Sequence, residues 1–293
     1  MDSGNSFAGL YGVGDEGKAR AAFLMKQYGK MGYKVVAVGI RDLDLPLDFL
    51  KKEAGKNGLL LVGANVYKDL KRIFRPYVIE NVGGVKIAFI GIVDNSTNRY
   101  RPKKDFVIED PNMELKELKD ELAKEQPDLV VLLTDIPAVT LKKMVMDLDW
   151  IEVAILSGRG SALRNPLEAG GTYILSPAPK GKGIGLAKIE LSKKGDIVNI
   201  SNNLIFLKKN VPEDKGVAKE VKMLVSTFHK KKIHTTKNPF LRALEEARKR
   251  RQRAHAAPNT ETKGAAKNAT GTNPFLEIFK KGASKEAGTA TSN

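Results

Sequence analysis

The run DLVVLLTD, residues 128–135, restricts the fold more than any other part of the sequence. It contains five consecutive apolar residues. A strand formed by such a run must be covered on both faces, as strands are in the sheets of α/β proteins. Charged segments with helical spacing precede and follow it, at 111–124 and 138–147. The run therefore predicts a buried strand with a helix on each side of it in the chain.

The same alternation extends over the first 207 residues. We expect further helices at 19–31 and 46–55. Two β-rich runs surround Gly83-Gly84, which is typical of a hairpin. The other expected strands are KVVAVGI from Lys34, LLLVGANV from Leu59, VAILSG from Val153 and several segments between Thr172 and Leu207. Alternating strands and helices followed by a mostly β end indicate a layered α/β fold.

The positive charge of the chain is concentrated near its end. Of the net charge of +16, residues 230–293 supply +10, with 15 Lys and Arg against 5 Asp and Glu. Their composition, poor in large apolar residues, predicts partial disorder or isolated helices. We therefore expect a globular domain at 1–229 and a basic tail at 230–293.

The tail contains the motif NPFL twice, beginning at Asn238 and Asn273. In each copy the Asn suits a helix N-cap and the Pro after it suits the first helical position. Two interpretations stay open for these short amphipathic helices. They pack on their own domain, or they dock the chain on a protein, a membrane or a nucleic acid.

Several kinds of chemistry are excluded by residue usage. The chain has no Cys, and its three histidines, His229, His234 and His255, all lie at or beyond the start of the tail. Residues 1–228 therefore offer no thiol and no imidazole as nucleophile, base or metal ligand. GVGDEGKA from Gly12 nearly matches a phosphate loop, but it lacks the hydroxyl that binds magnesium and carries two acidic residues, so we expect an ordinary loop.

Seven segments, in order, match motifs of a known family. DSGNSFAG from Asp2 matches DAGDxFxG, and AVGIRDLDLPLDFL from Ala37 matches ALGNHEFDxGxxFL. The others are GANVY for SANVY, RPYVIENVGGVKIAFIGI for KPYVIKEVGGVKIGVIGL, VVLLTDIP for VVLLSHLG, EVAILSGRGS for DVIIGGHSH, and LIFLKKNVPED for LIPLDEDIPED. Over residues 2–225 the chain thus resembles the 5'-nucleotidase branch of the calcineurin-like metallophosphoesterases.

The resemblance implies an α/β/β/α sandwich, here lacking its first strand, because the family's first motif, Asp-x-His, would lie before residue 1. It also implies a bacterial-type hydrolase homologue in the periplasm or outside the cell. The first residues of this chain show no basic start followed by an apolar run, so we expect no export signal in the chain as given.

The resemblance also locates the positions of the family's metal ligands. In this chain they are Asn5, Ile40, Arg41, Asp42, Asp135, Arg159 and Ser161. A guanidinium cannot be deprotonated and so cannot coordinate a metal. At 4 Å and an effective dielectric of 20 it would repel a dication by about 8 kcal/mol unless it swung away. We therefore expect no catalytic residues, no bound metal, and a pseudoenzyme that acts by binding or interaction.

Three roles stay open for the substituted positions. Arg41 and Arg159 pair with Asp42, Asp44 or Asp135, or the two arginines bind a phosphate or nucleotide. In the third, those aspartates hold magnesium through oxygen ligands.

Two alternative functions also remain. The chain is an active phosphoesterase for nucleotides or related esters, using Mn, Mg or Zn, or the domain is a carrier for the basic docking tail.

Overall fold

The computed structural model describes residues 1–9, 12–96, 105–157, 162–192 and 195–235. Arg159, Ser161 and both NPFL segments lie outside this part of the chain, and so do the predictions made for them. The fold described below is that of the compact unit Met1–Lys232. No helix in the described ranges is long and apolar enough to cross a membrane.

The described residues contain five α-helices and thirteen strands. The helices are α1 (Asp15–Lys30), α2 (Leu47–Lys56), α3 (Pro111–Glu125), α4 (Ala138–Val145) and α5 (Lys215–Thr235). The strands are β1 (Val35–Ala37), β2 (Leu60–Val62), β3 (Val66–Lys68), β4 (Lys71–Arg72), β5 (Tyr77–Val82), β6 (Val85–Ile92), β7 (Val107–Ile108), β8 (Leu129–Thr134), β9 (Val153–Leu156), β10 (Leu167–Ala169), β11 (Thr172–Leu175), β12 (Gly183–Leu191) and β13 (Ile197–Phe206). A short 3-10 helix spans Asp42–Asp44.

The largest sheet has six strands in the order β10-β11-β9-β8-β6-β5. Its four inner strands are parallel, and the two outer strands are antiparallel to their neighbours. All six residues of β8 are buried, which confirms the prediction made from DLVVLLTD. Helices α3 and α4 cover one face of the sheet with apolar side chains such as Leu118 and Leu141.

A second β layer covers the opposite face. It consists of the parallel pair β1–β2 and the antiparallel hairpin β12–β13, which are separate two-stranded sheets. Val35 and Val62 from the pair, together with Ile189 from the hairpin, pack on Phe89 and Val131 of the large sheet. Helices α1 and α2 cover the outer face of β1–β2. The layers follow the order α/β/β/α, which confirms the predicted fold class.

The predicted strand KVVAVGI is shortened to β1, and two further differences have a clear local cause. Helix α1 begins at Asp15 rather than at residue 19, because the acidic first turn belongs to the helix. The run LLLVGANV is divided into β2 and β3, since Gly63 N–H and Ala64 N–H bond to Arg75 and Gly91 instead of continuing one ladder. The hairpin of β5 and β6 is as predicted, with both turn glycines at positive φ.

Candidate functional site

The candidate site lies where several strands end. Asp94 follows β6, Asp135 follows β8 and Ser157 follows β9, and these three strands are parallel neighbours. The loop after β1 carries Ile40, Arg41 and Asp42, and Asn5 comes from the N-terminal segment that bridges to β1. Ligands bind at this edge of open α/β sheets. The structure therefore brings together five of the predicted site residues: Asn5, Ile40, Arg41, Asp42 and Asp135.

The Asp42 carboxylate is buried and accepts four backbone hydrogen bonds. Oδ2 accepts from the N–H groups of Asn5 at 2.8 Å and Gly39 at 3.0 Å. Oδ1 accepts from the N–H groups of Phe7 at 2.8 Å and Ala8 at 3.2 Å. This carboxylate therefore holds the loop at residues 5–8 against the loop that follows β1.

The Asp135 carboxylate is also buried, and it joins three segments. Its Oδ2 accepts from the backbone N–H of Ile40 at 2.7 Å and from Asn5 Nδ2 at 2.9 Å. Its Oδ1 accepts from the backbone N–H of Asp94 at 2.7 Å. The end of β8 is thereby fixed to the ends of β1 and β6.

The Asn5 side chain links the two loops through all of its polar atoms. Besides donating to Asp135, Nδ2 donates to Ser157 Oγ at 3.2 Å, and Oδ1 accepts from the backbone N–H of Arg41 at 2.8 Å. Asn5 has a φ of 63°, a conformation that Asn adopts more readily than most residues. A Cβ on Gly39 would lie 2.5 Å from Asn5 Cγ, so only glycine fits there.

Arg41 does not form the ion pair with Asp42 that was one of the possibilities left open for it. Its side chain is exposed and forms no ion pair with any residue in the ranges that the structure describes. The prediction that Arg41 pairs with Asp42 is wrong, because the Asp42 carboxylate points inward and is satisfied by backbone N–H groups.

Burial raises the pKa of two carboxyl groups at this edge. It raises the pKa of Asp42 to about 6, while the hydrogen bonds from Gly39, Phe7 and Ala8 act in the opposite direction. Burial also raises the pKa of Asp2, which accepts hydrogen bonds from Gly4 N–H, Ser6 Oγ and Tyr28 Oη. Both groups hold the N-terminal segment in place.

Three residues of the site were not predicted as site residues: Asp2, Asp94 and Ser157. Ser157 follows β9 directly, as Asp135 follows β8, and Asp94 lies two residues after the end of β6. The rule that polar residues at the carboxyl ends of parallel strands converge would have found them. Asp94 also closes its own turn by accepting from Ser96 N–H at 3.0 Å.

Acidic residues do not cluster at the site in the way a metal ion requires. Within the described ranges, Asp42, Asp44 and Asp135 do not form a group that could hold a metal ion, nor does any other set of three or more His, Cys, Asp or Glu. The arrangement predicted for oxygen-ligated magnesium is therefore not present in this part of the chain.

Comparisons with known proteins agree with the architecture. No known family model matches the chain. The 5'-nucleotidase of Vibrio parahaemolyticus is 32% identical over 227 residues, covering 64% of this chain and 40% of that relative. This chain thus spans well under half the length of that curated relative.

Solved structures show the same fold. A 5'-nucleotidase precursor from Thermus thermophilus superposes with a TM-score of 0.64 at 20% identity, covering 78% of this chain and 49% of that one. The calcineurin-like phosphoesterase YfkN from Bacillus subtilis gives 0.60 at 16% identity, covering 70% and 73%. By sequence the chain is similar to a bacterial 5'-nucleotidase, and it shares its fold with the 5'-nucleotidase and calcineurin-like phosphoesterase structures.

Proposed function

We propose that this chain is a 5'-nucleotidase-like domain that has lost metal binding and hydrolysis and acts by binding an anionic ligand. The observation that carries the proposal is the Asn5 side chain, whose amide nitrogen donates to Asp135 at the position where the resemblance expects a metal-bridging Asp. The residues at the former ligand positions therefore do not fit a pair of metal ions.

The hydrogen bonds at the site oppose a cation more than the arginine does. Asp42 accepts four N–H groups and Asp135 accepts three. A cation would need the same lone pairs, and each lost hydrogen bond to a charged group costs about 1.5 to 3 kcal/mol. Because Arg41 is exposed, its charge is screened by solvent and its side chain can swing away. The hydrogen-bond network around Asp42 and Asp135 is therefore the main obstacle to metal binding.

The ligand is argued from Arg41. An exposed guanidinium without an ion-pair partner in the described ranges presents five N–H donors in a planar arrangement that matches phosphate and carboxylate. The name of the Vibrio relative favours a nucleotide 5'-phosphate as the ligand class. We place Arg159 in the same proposed pocket from the resemblance alone. The resemblance also supports a location of the protein in the periplasm or outside the cell.

A phosphatase assay tests the loss of hydrolysis. The protein is incubated with AMP or p-nitrophenyl phosphate in the presence of Mn²⁺, and we expect no turnover above the buffer. The Asp135→Asn variant is the control for a contaminating phosphatase, because activity from a contaminant would persist in this variant. Turnover that a chelator abolishes and that Asp135→Asn lacks would establish the alternative, an active phosphoesterase.

A binding titration tests the ligand. We expect AMP to bind to the wild-type protein and to bind at least tenfold more weakly to Arg41→Gln, a loss typical of one charge-assisted hydrogen bond. Equal AMP affinity in the two proteins would remove Arg41 from the proposed pocket.

A further inference from the structure

A polar cavity lies away from the Asn5–Asp42–Asp135 network. It has a volume of about 460 Å³ and is bounded by the segment before β10 and by the end of the hairpin β12–β13. The residues that line it are Arg164, Asn165, Asn202, Asn203, Leu204, Phe206 and Lys208. Cavities of this volume are within the range that holds small ligands.

The lining has one sign of charge. It contains two cations and three carboxamides, and no carboxylate. Neither Arg164 nor Lys208 forms an ion pair with any residue whose position the structure describes. Arginine, lysine and carboxamide side chains together supply many N–H donors. The cavity therefore suits a ligand with several anionic oxygens.

The cavity also has an apolar part. Leu204 and Phe206 lie on the same face of β13, opposite Gly185 and Gly183 of β12. Because the two glycines have no side chain, nothing on β12 covers Leu204 and Phe206 from that side. Phe206 is 39% exposed. An aromatic face of this kind can stack on a flat ring.

One hydrogen bond fixes the two walls of the cavity. Asn202 Nδ2 donates to the carbonyl oxygen of Leu163 at 2.6 Å, and Leu163 N–H bonds to Ser176, directly after β11. The hairpin is thereby joined to the residue before Arg164. The two cations come from different segments but are held at the same cavity.

We propose that this cavity is a binding site for a phosphate monoester that carries a flat apolar group, with Arg164 and Lys208 contacting the phosphate and Phe206 contacting the ring. The proposal is separate from the function proposed for Arg41, since the two sites share no residue.

Calorimetric titration of the full chain tests the proposal, with AMP, inorganic phosphate and adenosine as probes. We expect AMP to bind more tightly than either of its parts. In the Arg41→Gln background, which separates this cavity from the site proposed at Arg41, Arg164→Gln and Lys208→Gln should each weaken the remaining AMP binding about tenfold, the effect of one lost charge-assisted hydrogen bond. The matched control is Lys209→Gln, which removes the same charge one residue outside the lining and should bind AMP as the wild type does.

A second variant tests the cavity without changing charge. A Cβ on Gly185 would lie 3.6 Å from Asn202 Oδ1 and 3.9 Å from Leu204 Cδ2, so Gly185→Val directs added volume toward the lining and should also weaken AMP binding. Unchanged affinity in Arg164→Gln and Lys208→Gln, or adenosine binding as tightly as AMP, would overturn the proposal. If Arg41→Gln alone abolished AMP binding, this second site would be refuted while the function proposed for Arg41 would stand.

Discussion

The substitution Asn5→Asp tests the network at the candidate site most sharply. It keeps the size of the side chain and its tolerance of positive φ, but it replaces the NH₂ group that donates to Asp135 and Ser157. The hydrogen bond to the Asp135 carboxylate is lost, at about 1.5 to 3 kcal/mol, whereas the Ser157 hydroxyl can donate to the new carboxylate. A new carboxylate near Asp135 adds a repulsion of about 4 kcal/mol at an effective dielectric of 20. We therefore expect a loss of about 5 to 7 kcal/mol in the free energy of unfolding at pH 7.5.

The assay is urea unfolding followed by circular dichroism at pH 7.5 and pH 5. The loss should be smaller at pH 5, because protonation of the new carboxyl group relieves the repulsion. Asn5→Gly is the matched control, since it removes the amide without adding charge or backbone strain, and its loss should depend less on pH. An Asn5→Asp protein as stable as the wild type at pH 7.5 without added metal would refute the reasoning.

Three further predictions follow from the same loops. Because burial raises the pKa of Asp42 to about 6 from an ordinary 3.8, the folded state holds the extra proton between these values. The free energy of unfolding should therefore fall by up to about 3 kcal/mol as the pH rises from 4 to 7; a rise over that range in urea titrations would contradict this. Gly39→Ala should lower the melting temperature strongly, because the added Cβ would lie 2.4 Å from Asn5 N. The control is Gly55→Ala in helix α2, where the added Cβ meets no neighbouring atom within 4 Å, and it should not lower the melting temperature. Asp135→Ala should destabilise by about 2 kcal/mol or more, since it leaves the N–H groups of Ile40 and Asp94 without their acceptor; chemical denaturation measures this.

The layered fold was accessible from the sequence because its strongest signals are local. The apolar run of β8 and the glycine pair between β5 and β6 specify a buried strand and a hairpin without reference to distant residues. The short strands β1 and β2 were predicted too long, since their ends are set by bonds to residues far along the chain, such as that of Gly63 N–H to Arg75.

The composition of the candidate site was only partly accessible. The positions came from the resemblance, and five of them do meet at the ends of the strands. The partners of Asp42 could not be predicted, because side-chain charge suggested an arginine whereas the structure supplies four backbone N–H groups. Almost every residue has a backbone N–H donor, so the sequence does not indicate which of them bind a carboxylate. A buried carboxylate that accepts backbone hydrogen bonds therefore cannot be distinguished by sequence from one that binds a cation.

Metal stoichiometry tests the central claim most directly. The chain is prepared without an affinity tag, equilibrated with Mn²⁺ or Zn²⁺ and dialysed, and the bound metal is measured by inductively coupled plasma mass spectrometry. Two-metal phosphoesterases hold about two ions per active site. We predict a metal content indistinguishable from that of the Asp135→Asn variant and close to zero. A content near two ions per chain that falls in Asp135→Asn would contradict the replacement of the metal site by hydrogen bonds.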